Sequence, residues 1–341
     1  MRRRMPIVAA LALGVLAAAC SGPAGTASTT STSTTPAPTT SAPGQATTTS
    51  TAPTTSTSAV SGGRDGIPPL PHVFVVVMEN LGYTAALATP ELGVLAQQYA
   101  YSSEFYATSH PSLPNYLAMT GGSTFGVTTD CATCYVSAPN IGSELSAAGI
   151  SWGAYMQGVP RACYLLPYGG VDYASKHDPF VYYDNIRSSA SLCAHIVPFG
   201  HLRAQLRGPA SGVPRYVSVT PNLCNDGHNC SADTASGWLQ PFVASITASA
   251  AWRQDGVLFV VWDEGNFSDT TTVGPSGSVA NCCGGGHVLM LVIRSGLPAG
   301  FHSAVPYSQY SLLATIEDGL GVPLLGASAH AAPMTAFFPR S

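Results

Sequence analysis

The chain has 341 residues, a formal charge of −4 and only 9% charged side chains. That length is ample for a large buried core, and the acidic balance speaks against a nucleic-acid binder held by phosphate contacts. Beyond the N-terminal segment no apolar run reaches membrane-spanning length, which argues against a polytopic membrane protein; Lys176 is the sole lysine.

The first element in chain order is an export signal. Met1-Arg-Arg-Arg-Met5 is basic, Ile7 to Leu16 is a short apolar run, and Ala17-Ala18-Ala19 precedes Cys20. A basic start, a short apolar core and small residues mark a secretory signal too short for a stable span. Leu16-Ala17-Ala18-Ala19-Cys20 resembles a bacterial lipobox, with the Leu one place further from the Cys than in the commonest pattern. Residues 1–20 are therefore expected to be a lipoprotein signal with Cys20 lipidated, and a plain cleavage after Ala19 is the alternative. Removal of Arg2, Arg3 and Arg4 leaves ten basic residues against 17 acidic ones, a charge near −7. Residues 21–63 are almost wholly Ser, Thr, Pro, Ala and Gly, with no Asp, Glu, Lys or Arg. Such a stretch has too little apolar area to offset its ordering entropy, so 21–66 is expected to be a disordered stalk.

Residues 67–341 are expected to form one α/β domain. His72 to Met78 is a continuous apolar run, the pattern of a strand buried on both faces. Thr89-Pro90-Glu91 supplies an N-cap, a Pro at the first helical position and an early acid, opening a helix to about Ala100. Tyr101–Thr108 is a second strand, and Leu113–Thr120 a helix stopped by Gly121-Gly122. Ile150–Met156, Arg215–Thr220, Val257–Trp262 and Val288–Ile293 are further strands; Gly237–Ala250 and Ser308–Leu320 are helices. Strands alternating with helices predict a mainly parallel sheet covered on both faces.

Polar residues cluster where these strands end. Glu79-Asn80 follows the first strand, Ser109-His110-Pro111-Ser112 the second, Asn222 to His228 the Arg215 strand, and Asp263-Glu264 the Val257 strand. Ligands of open parallel sheets bind outside the carboxyl ends of strands, so four such clusters can converge on one site. Glu79, Asn80, Asp263 and Glu264 offer oxygen ligands for a divalent cation, and burying them unpaired would be costly. Ser112 stands where a strand meets a helix, beside amides that favour an anion. A cation can stabilise its alkoxide and polarise a phosphoryl oxygen. A simple N-cap for Ser112 and a solvated turn for Asp263-Glu264 remain open.

These segments together carry a resemblance. Phe74-Val-Val-Val-Met-Glu-Asn-Leu-Gly82, Ser109-His-Pro-Ser-Leu-Pro-Asn-Tyr-Leu-Ala118, Pro221-Asn-Leu-Cys-Asn-Asp-Gly-His-Asn-Cys230 and Val261-Trp-Asp-Glu-Gly265 resemble the bacterial phosphoesterase family. Gly285-Gly-His-Val288 and Tyr310 to Asp318 resemble its C-terminal blocks. That family holds secreted acid phosphatases and phospholipases C within the alkaline phosphatase superfamily. The compact acid phosphatases, including phosphatidylinositol 3-phosphatase-like enzymes, are the most similar, since large phospholipase C insertions are absent. The resemblance implies an α/β fold with a mainly parallel central sheet and helices on both faces.

It also implies roles. Glu79, Asn80, Asp263 and Glu264, with His287, match metal-binding positions for one divalent ion, which oxygen ligands suit to Mg, Ca or Mn and His participation to Zn. Ser112 matches the nucleophile, forming a phosphoseryl intermediate. His110, Asp226 and His228 are catalytic candidates, for leaving-group protonation, phosphate contact or metal ligation; Asn115 matches a position that can hold a phosphoryl oxygen, and Lys176, His177 and Asn222 are further substrate-binding candidates. The expected function is a secreted or lipid-anchored phosphomonoesterase acting on a small-molecule or lipid phosphate ester, with the membrane met through the N-terminal anchor. A phosphodiesterase or phospholipase C, and a non-catalytic lipoprotein that binds a phosphorylated ligand, are the alternatives. Departures from the family pattern are Gln309 in place of a His, Asn229 in place of an Asp, and Ser236 where an Asp often precedes the Trp. His195, His201 and His302 are left as structural.

Nine Cys minus a lipidated Cys20 leave eight in the domain, and export favours disulfides. Cys224 and Cys230 bracket the Asp226/His228 loop and form one expected bridge; Cys163–Cys193 is a second. Cys131, Cys134, Cys282 and Cys283 can pair locally or with one another, and a four-Cys zinc site is the competing reading.

Overall fold

The computed structural model describes residues 63–274 and 277–339, all within the unit Thr57–Ser341. The signal, Cys20 and the stalk through residue 62 lie outside the described residues. The strands are β1 (Val73–Met78), β2 (Ala100–Tyr106), β3 (Trp152–Met156), the hairpin pair β4 (Tyr168–Gly169) and β5 (Tyr173–Ala174), β6 (Ile196–Pro198), β7 (Tyr216–Thr220), β8 (Val257–Trp262), the pair β9 (Thr272–Val273) and β10 (Val279–Ala280), β11 (His287–Arg294), β12 (His302–Ser303) and β13 (Tyr307–Ser308). The helices are α1 (Tyr83–Ala88), α2 (Pro90–Gln98), α3 (Ser112–Gly121), α4 (Ile141–Ala147), α5 (Asp184–Arg187), α6 (Ala190–Cys193), α7 (Gly200–Gln205), α8 (Ala232–Thr247) and α9 (Gln309–Leu320).

Nine strands form the central sheet, in the order β12-β2-β11-β8-β1-β7-β3-β6 with β13 also on β2. β1 pairs in parallel with β7 and β8, and β3 with β6 and β7. The all-apolar runs Val73–Met78 and Val257–Trp262 sit in the middle of the sheet and are wholly buried, as a strand covered on both faces requires. Successive side chains alternate faces. Val75 and Val77 meet Tyr116 and Met119 of α3 and Leu312 and Ile316 of α9. Trp262, in register with Met78, lies on the other face beside Leu92 of α2 and Ala235 of α8. Helices thus cover both faces, as expected. One strand departs from the parallel pattern: β11 is antiparallel to both β8 and β2. Two reversals cancel, so β2 still runs in the direction of β8 and β1. The carboxyl ends of β1, β2, β7 and β8 all open on one edge.

Several boundaries move. Gly63 donates its N–H to the Asp318 carbonyl, and the Arg64 guanidinium bonds the Val322 carbonyl and lies 3.5 Å from the Asp318 carboxylate. The last residues of the expected stalk therefore pack on the end of α9 and belong to the folded body. Helix α8 begins at Ala232, five residues before the expected Gly237, because Ser231 caps it by accepting the Thr234 N–H. Gly237 is an interior residue there, and Pro241 is tolerated in the same helix. The four bridges are Cys163–Cys193, Cys224–Cys230, Cys131–Cys134 and Cys282–Cys283. The first two follow the expectation, and the open choice for the other four resolves to local pairing, which removes the zinc-tetrad reading.

Candidate active site

The end of β1 is stitched to its neighbours before any side chain acts. The Glu79 N–H donates to the Asp226 carbonyl at 2.9 Å, and the Asp263 N–H to the Met78 carbonyl at 2.9 Å. The three strand-end loops therefore bring the carboxyls of Glu79, Asp226, Asp263 and Glu264 to one place, all buried. Asn80 takes a left-handed backbone, φ 49°, and its N–H donates to Asp263 Oδ1 at 3.2 Å. The fourth loop folds back onto β11 through the Ala107 carbonyl, which accepts the Gly285 N–H at 3.0 Å, while the Gly285 carbonyl accepts the Gly265 N–H at 2.7 Å. A Cβ on Gly285 would stand 2.3 Å from the Ser109 carbonyl oxygen, so only glycine permits this approach.

Ser112 is the first residue of α3, and Pro111 is the cap residue without a capping side chain. The simple N-cap alternative is therefore excluded. The Ser112 hydroxyl points at two carboxylates: Glu79 Oε2 at 3.1 Å and Glu264 Oε1 at 3.3 Å. One hydroxyl carries one proton and can serve one acceptor at a time. Tyr116, one turn further along α3, donates to Glu79 Oε1 at 2.7 Å. His177 lies between Glu79 and Asp226, with Nε2 3.0 Å from Glu79 Oε1 and Nδ1 3.2 Å from Asp226 Oδ2. These are close ionic contacts rather than aligned hydrogen bonds, since His177 Nε2 and Asp226 Oδ2 have no aligned hydrogen-bond partner. The Tyr116 ring stacks on His177.

Burial and charge set the protonation of the cluster. Burial pulls His177 down, but Glu79 and Asp226 outweigh it and push the imidazole up to about 9. Burial pushes Glu79 up, yet His177 and Tyr116 hold it below the usual carboxylate range. Asp263 is driven well above that range by burial and by the neighbouring Glu79 and Glu264 charges. Glu264 and Asp226 are also raised by burial, each partly offset by its histidine. His110 bonds Glu264 Oε2 through Nδ1 and the Asp269 carbonyl through Nε2 at 2.8 Å. Burial lowers its pKa, and the Glu264 bond, the Asp269 carbonyl and the charges of both carboxylates together more than reverse that.

Three buried oxygens in this cluster have no aligned hydrogen-bond partner: Asp226 Oδ2, which faces His177 Nδ1, and Asn80 Oδ1 and Asp263 Oδ2. Orphaned acceptors beside clustered carboxyls are expensive in a protein interior. They fit a hard divalent cation, which takes oxygen donors. A second donor group is Glu79, His177 and His228, whose ligand atoms all lie within 4.8 Å of one another; its nitrogens suit zinc.

The other expected residues distribute unevenly. Lys176 Nζ lies 2.8 Å from Asp130 Oδ2 and 3.0 Å from His228 Nε2. His228 Nδ1 meets Asn229 Oδ1 at 2.7 Å, and the His228 N–H caps onto Asp226 Oδ1 at 2.8 Å. Asn115 is buried and committed to the loop. Its Oδ1 accepts the Thr108 and Ser109 N–H groups and its Nδ2 donates to the Ser109 and Pro111 carbonyls. That leaves it shaping the turn before Ser112 rather than free to hold a phosphoryl oxygen. Asn222 is likewise used within its loop, accepting the Asn225 N–H and donating its own N–H to Gln157. His287 departs from its expected ligand role: its ring is sandwiched between Tyr83 and Tyr106 and its Nε2 is 2.9 Å from the Ser103 carbonyl. Gln309, the departure from the family's His, spans two loops. It donates to the Asp263 carbonyl at 2.6 Å and accepts the Thr108 N–H at 3.0 Å. Ser236 bonds Asp233 and Glu91 on the helical side. A cavity of about 600 Å³ lies beside the start of α9 and is lined by none of the clustered carboxyls.

Sequence reasoning passed over Tyr116, Asp130 and Asp269. Tyr116 carried a signal, since position i+4 from Ser112 shares its helix face. Asp130 and Asp269 carried none; tertiary structure brings their partners to them.

Residues 54–323 match the phosphoesterase family. The chain is 31% identical over 277 residues to phosphatidylinositol-3-phosphatase of Mycobacterium tuberculosis, covering 79% of this chain and 83% of that protein. It is 30% identical over 264 residues to a probable acid phosphatase of Kluyveromyces lactis, covering 74% of this chain but 59% of the yeast protein. A solved structure from the alkaline phosphatase superfamily of Vibrio parahaemolyticus aligns with a TM-score of 0.53 at 13% identity, covering 81% of this chain and 71% of that one; this likeness shows the fold. The chain belongs to the phosphoesterase family, a family of phosphate-ester hydrolases.

Proposed function

We propose that this phosphate-ester hydrolase is a metal-dependent phosphomonoesterase of the acid phosphatase type, with Ser112 as its nucleophile. The observation that carries this reading is the Ser112 hydroxyl at the mouth of α3, within reach of both Glu79 and Glu264. Relatives named acid phosphatase and phosphatidylinositol-3-phosphatase support phosphomonoesters, soluble or lipid-borne, as the substrate class. A divalent cation held by Glu79, Asn80, Asp263 and Glu264 would supply Lewis-acid polarisation and lower the hydroxyl's pKa.

The chain's own groups divide the remaining work. Ser112 Oγ attacks phosphorus, its proton passing to the Glu79 or Glu264 carboxylate. The new P–O bond forms as the ester P–O bond breaks, and the leaving alkoxide takes a proton from a donor at the Lys176–His228 edge. Water then attacks the phosphoserine, and the seryl oxygen recovers its proton as phosphate departs. The first-turn amides of α3 are placed to hold the developing charge. His110, with both ring nitrogens engaged, orients Glu264 rather than meeting the leaving group.

Export is part of the proposal. Four disulfides among the described residues fit an oxidising compartment, and the signal with Cys20 accounts for a lipid anchor. No helix among the described residues is long and apolar enough to cross a membrane. The test is hydrolysis of 4-nitrophenyl phosphate across pH and metals by the intact enzyme and by Ser112→Ala. The variant should lose on the order of a thousandfold or more in kcat with its unfolding transition unchanged. Near-native turnover by that variant would remove Ser112 from the role.

A further inference from the structure

Asp130 reaches the mouth of α3 from the loop between α3 and α4. Its Oδ1 accepts the Leu113 N–H at 3.0 Å, and its Oδ2 takes the Lys176 ammonium at 2.8 Å. Helix α3 has no acid in its own first turn and no capping side chain, so this remote carboxylate does the capping. The two donors it occupies are a first-turn amide next to Ser112 and the ammonium of the chain's one lysine. An incoming phosphoryl group needs the same pair, since amides at a helix start and a lysine ammonium both favour phosphate oxygens.

We propose that Asp130 is an internal anion that closes the α3 mouth and is displaced by the phosphoryl group of substrate or product. The proposal rests on the ester-hydrolase reading above. Asp130 stands in for two non-bridging phosphoryl oxygens. Its side chain is about a quarter exposed, at 27%, so it can swing towards solvent without crossing the core. Lys176 stays behind on displacement, because its ammonium also meets His228 Nε2 at 3.0 Å and is attracted by the buried Glu79 and Asp263 carboxyls. A dianion competes for an ammonium and an amide against a carboxylate better than a monoanion does. The displaced charge therefore makes Asp130 a specificity-determining residue favouring phosphomonoesters.

Competition of this kind weakens apparent affinity by the fraction of molecules in the open form. Removing the charge should tighten phosphate binding. Two variants test this: Asp130→Asn, which keeps the shape, and Asp130→Ser, whose hydroxyl can still cap the Leu113 amide. The readouts are KM for 4-nitrophenyl phosphate and the calorimetric Kd of inorganic phosphate. Both constants should fall at least about threefold, and the gain should disappear in Asp130→Asn combined with Lys176→Gln. Unchanged or raised constants in folded variants would overturn the proposal, and loss of folding in both would show Asp130 to be a fixed support. If the intact enzyme turns over no ester, the hydrolase reading fails by itself. The phosphate Kd still decides the role of Asp130, because it needs no turnover.

Discussion

At the scale of single residues, the site is a problem in unbalanced buried charge. Four buried carboxyls lie together with two imidazoles, and proteins rarely bury such groups without paired partners. Tyr116 carries part of the compensation through its bond to Glu79. Tyr116→Phe deletes only that hydroxyl, leaving Glu79 short of a donor, and should lower unfolding free energy by about 1.5–3 kcal/mol; urea unfolding measures it. Asp263→Asn keeps the shape and removes the charge from the proposed cation set. Its bound metal, read by elemental analysis, should drop well below stoichiometric, and full occupancy would argue against Asp263 as a ligand. Much of this level was legible. Glu79, Asp263 and Glu264 announced themselves as polar residues ending apolar runs, and Ser112 as a hydroxyl at a strand–helix junction. Asp130 was not legible, because nothing in the run Thr128-Thr129-Asp130-Cys131 indicates that Leu113 and Lys176 will arrive beside it.

At the scale of elements, the loops of the candidate site are held by contacts between strand ends. Gln309, at the start of α9, ties the Asp263 loop to the Thr108 loop. Gln309→Ala would leave the buried Asp263 carbonyl without this donor, while the Thr108 N–H keeps Asn115 Oδ1, a loss of roughly 1–3 kcal/mol, and should reduce turnover by loosening Ser112 against Glu264. Thermal unfolding and kcat measured on one preparation check both effects. The elements that sequence revealed were those with a clear pattern: β1 and β8 as unbroken apolar runs, and α9 as a helix that ends at Gly321, φ 75°. The stretch from residue 160 to 205 was opaque because it is built of one-turn helices and two- and three-residue strands, too short to show any period. The antiparallel β11 was also hidden, since strand direction is set by the connections and not by composition.

At the scale of the whole molecule, the charge distribution favours acid conditions. Glu317, buried in α9 and bonded to Ser328 and the Leu325 N–H, is pushed up to about 8 by burial, against an ordinary value of 4.5. Asp178, buried beside the Tyr173 hydroxyl, is pushed up to about 7 from 3.8. A carboxyl whose folded pKa is raised binds more protons folded than unfolded. Stability therefore falls as pH climbs from the unfolded value to the folded one, here from about 4 to about 8. The unfolding temperature should decline across that window, and Glu317→Gln should flatten the decline; an unaltered slope in this variant would contradict the assignment. That direction agrees with the proposed activity of the acid phosphatase type.

The most direct measurement is a rapid acid quench of the enzyme during turnover of 4-nitrophenyl phosphate, followed by peptide mass spectrometry. A phosphoryl group on Ser112, absent without substrate and absent in Glu79→Ala, is the predicted result. Steady turnover with Ser112 unmodified at every quench time, and a phosphoryl group elsewhere or nowhere, would contradict it.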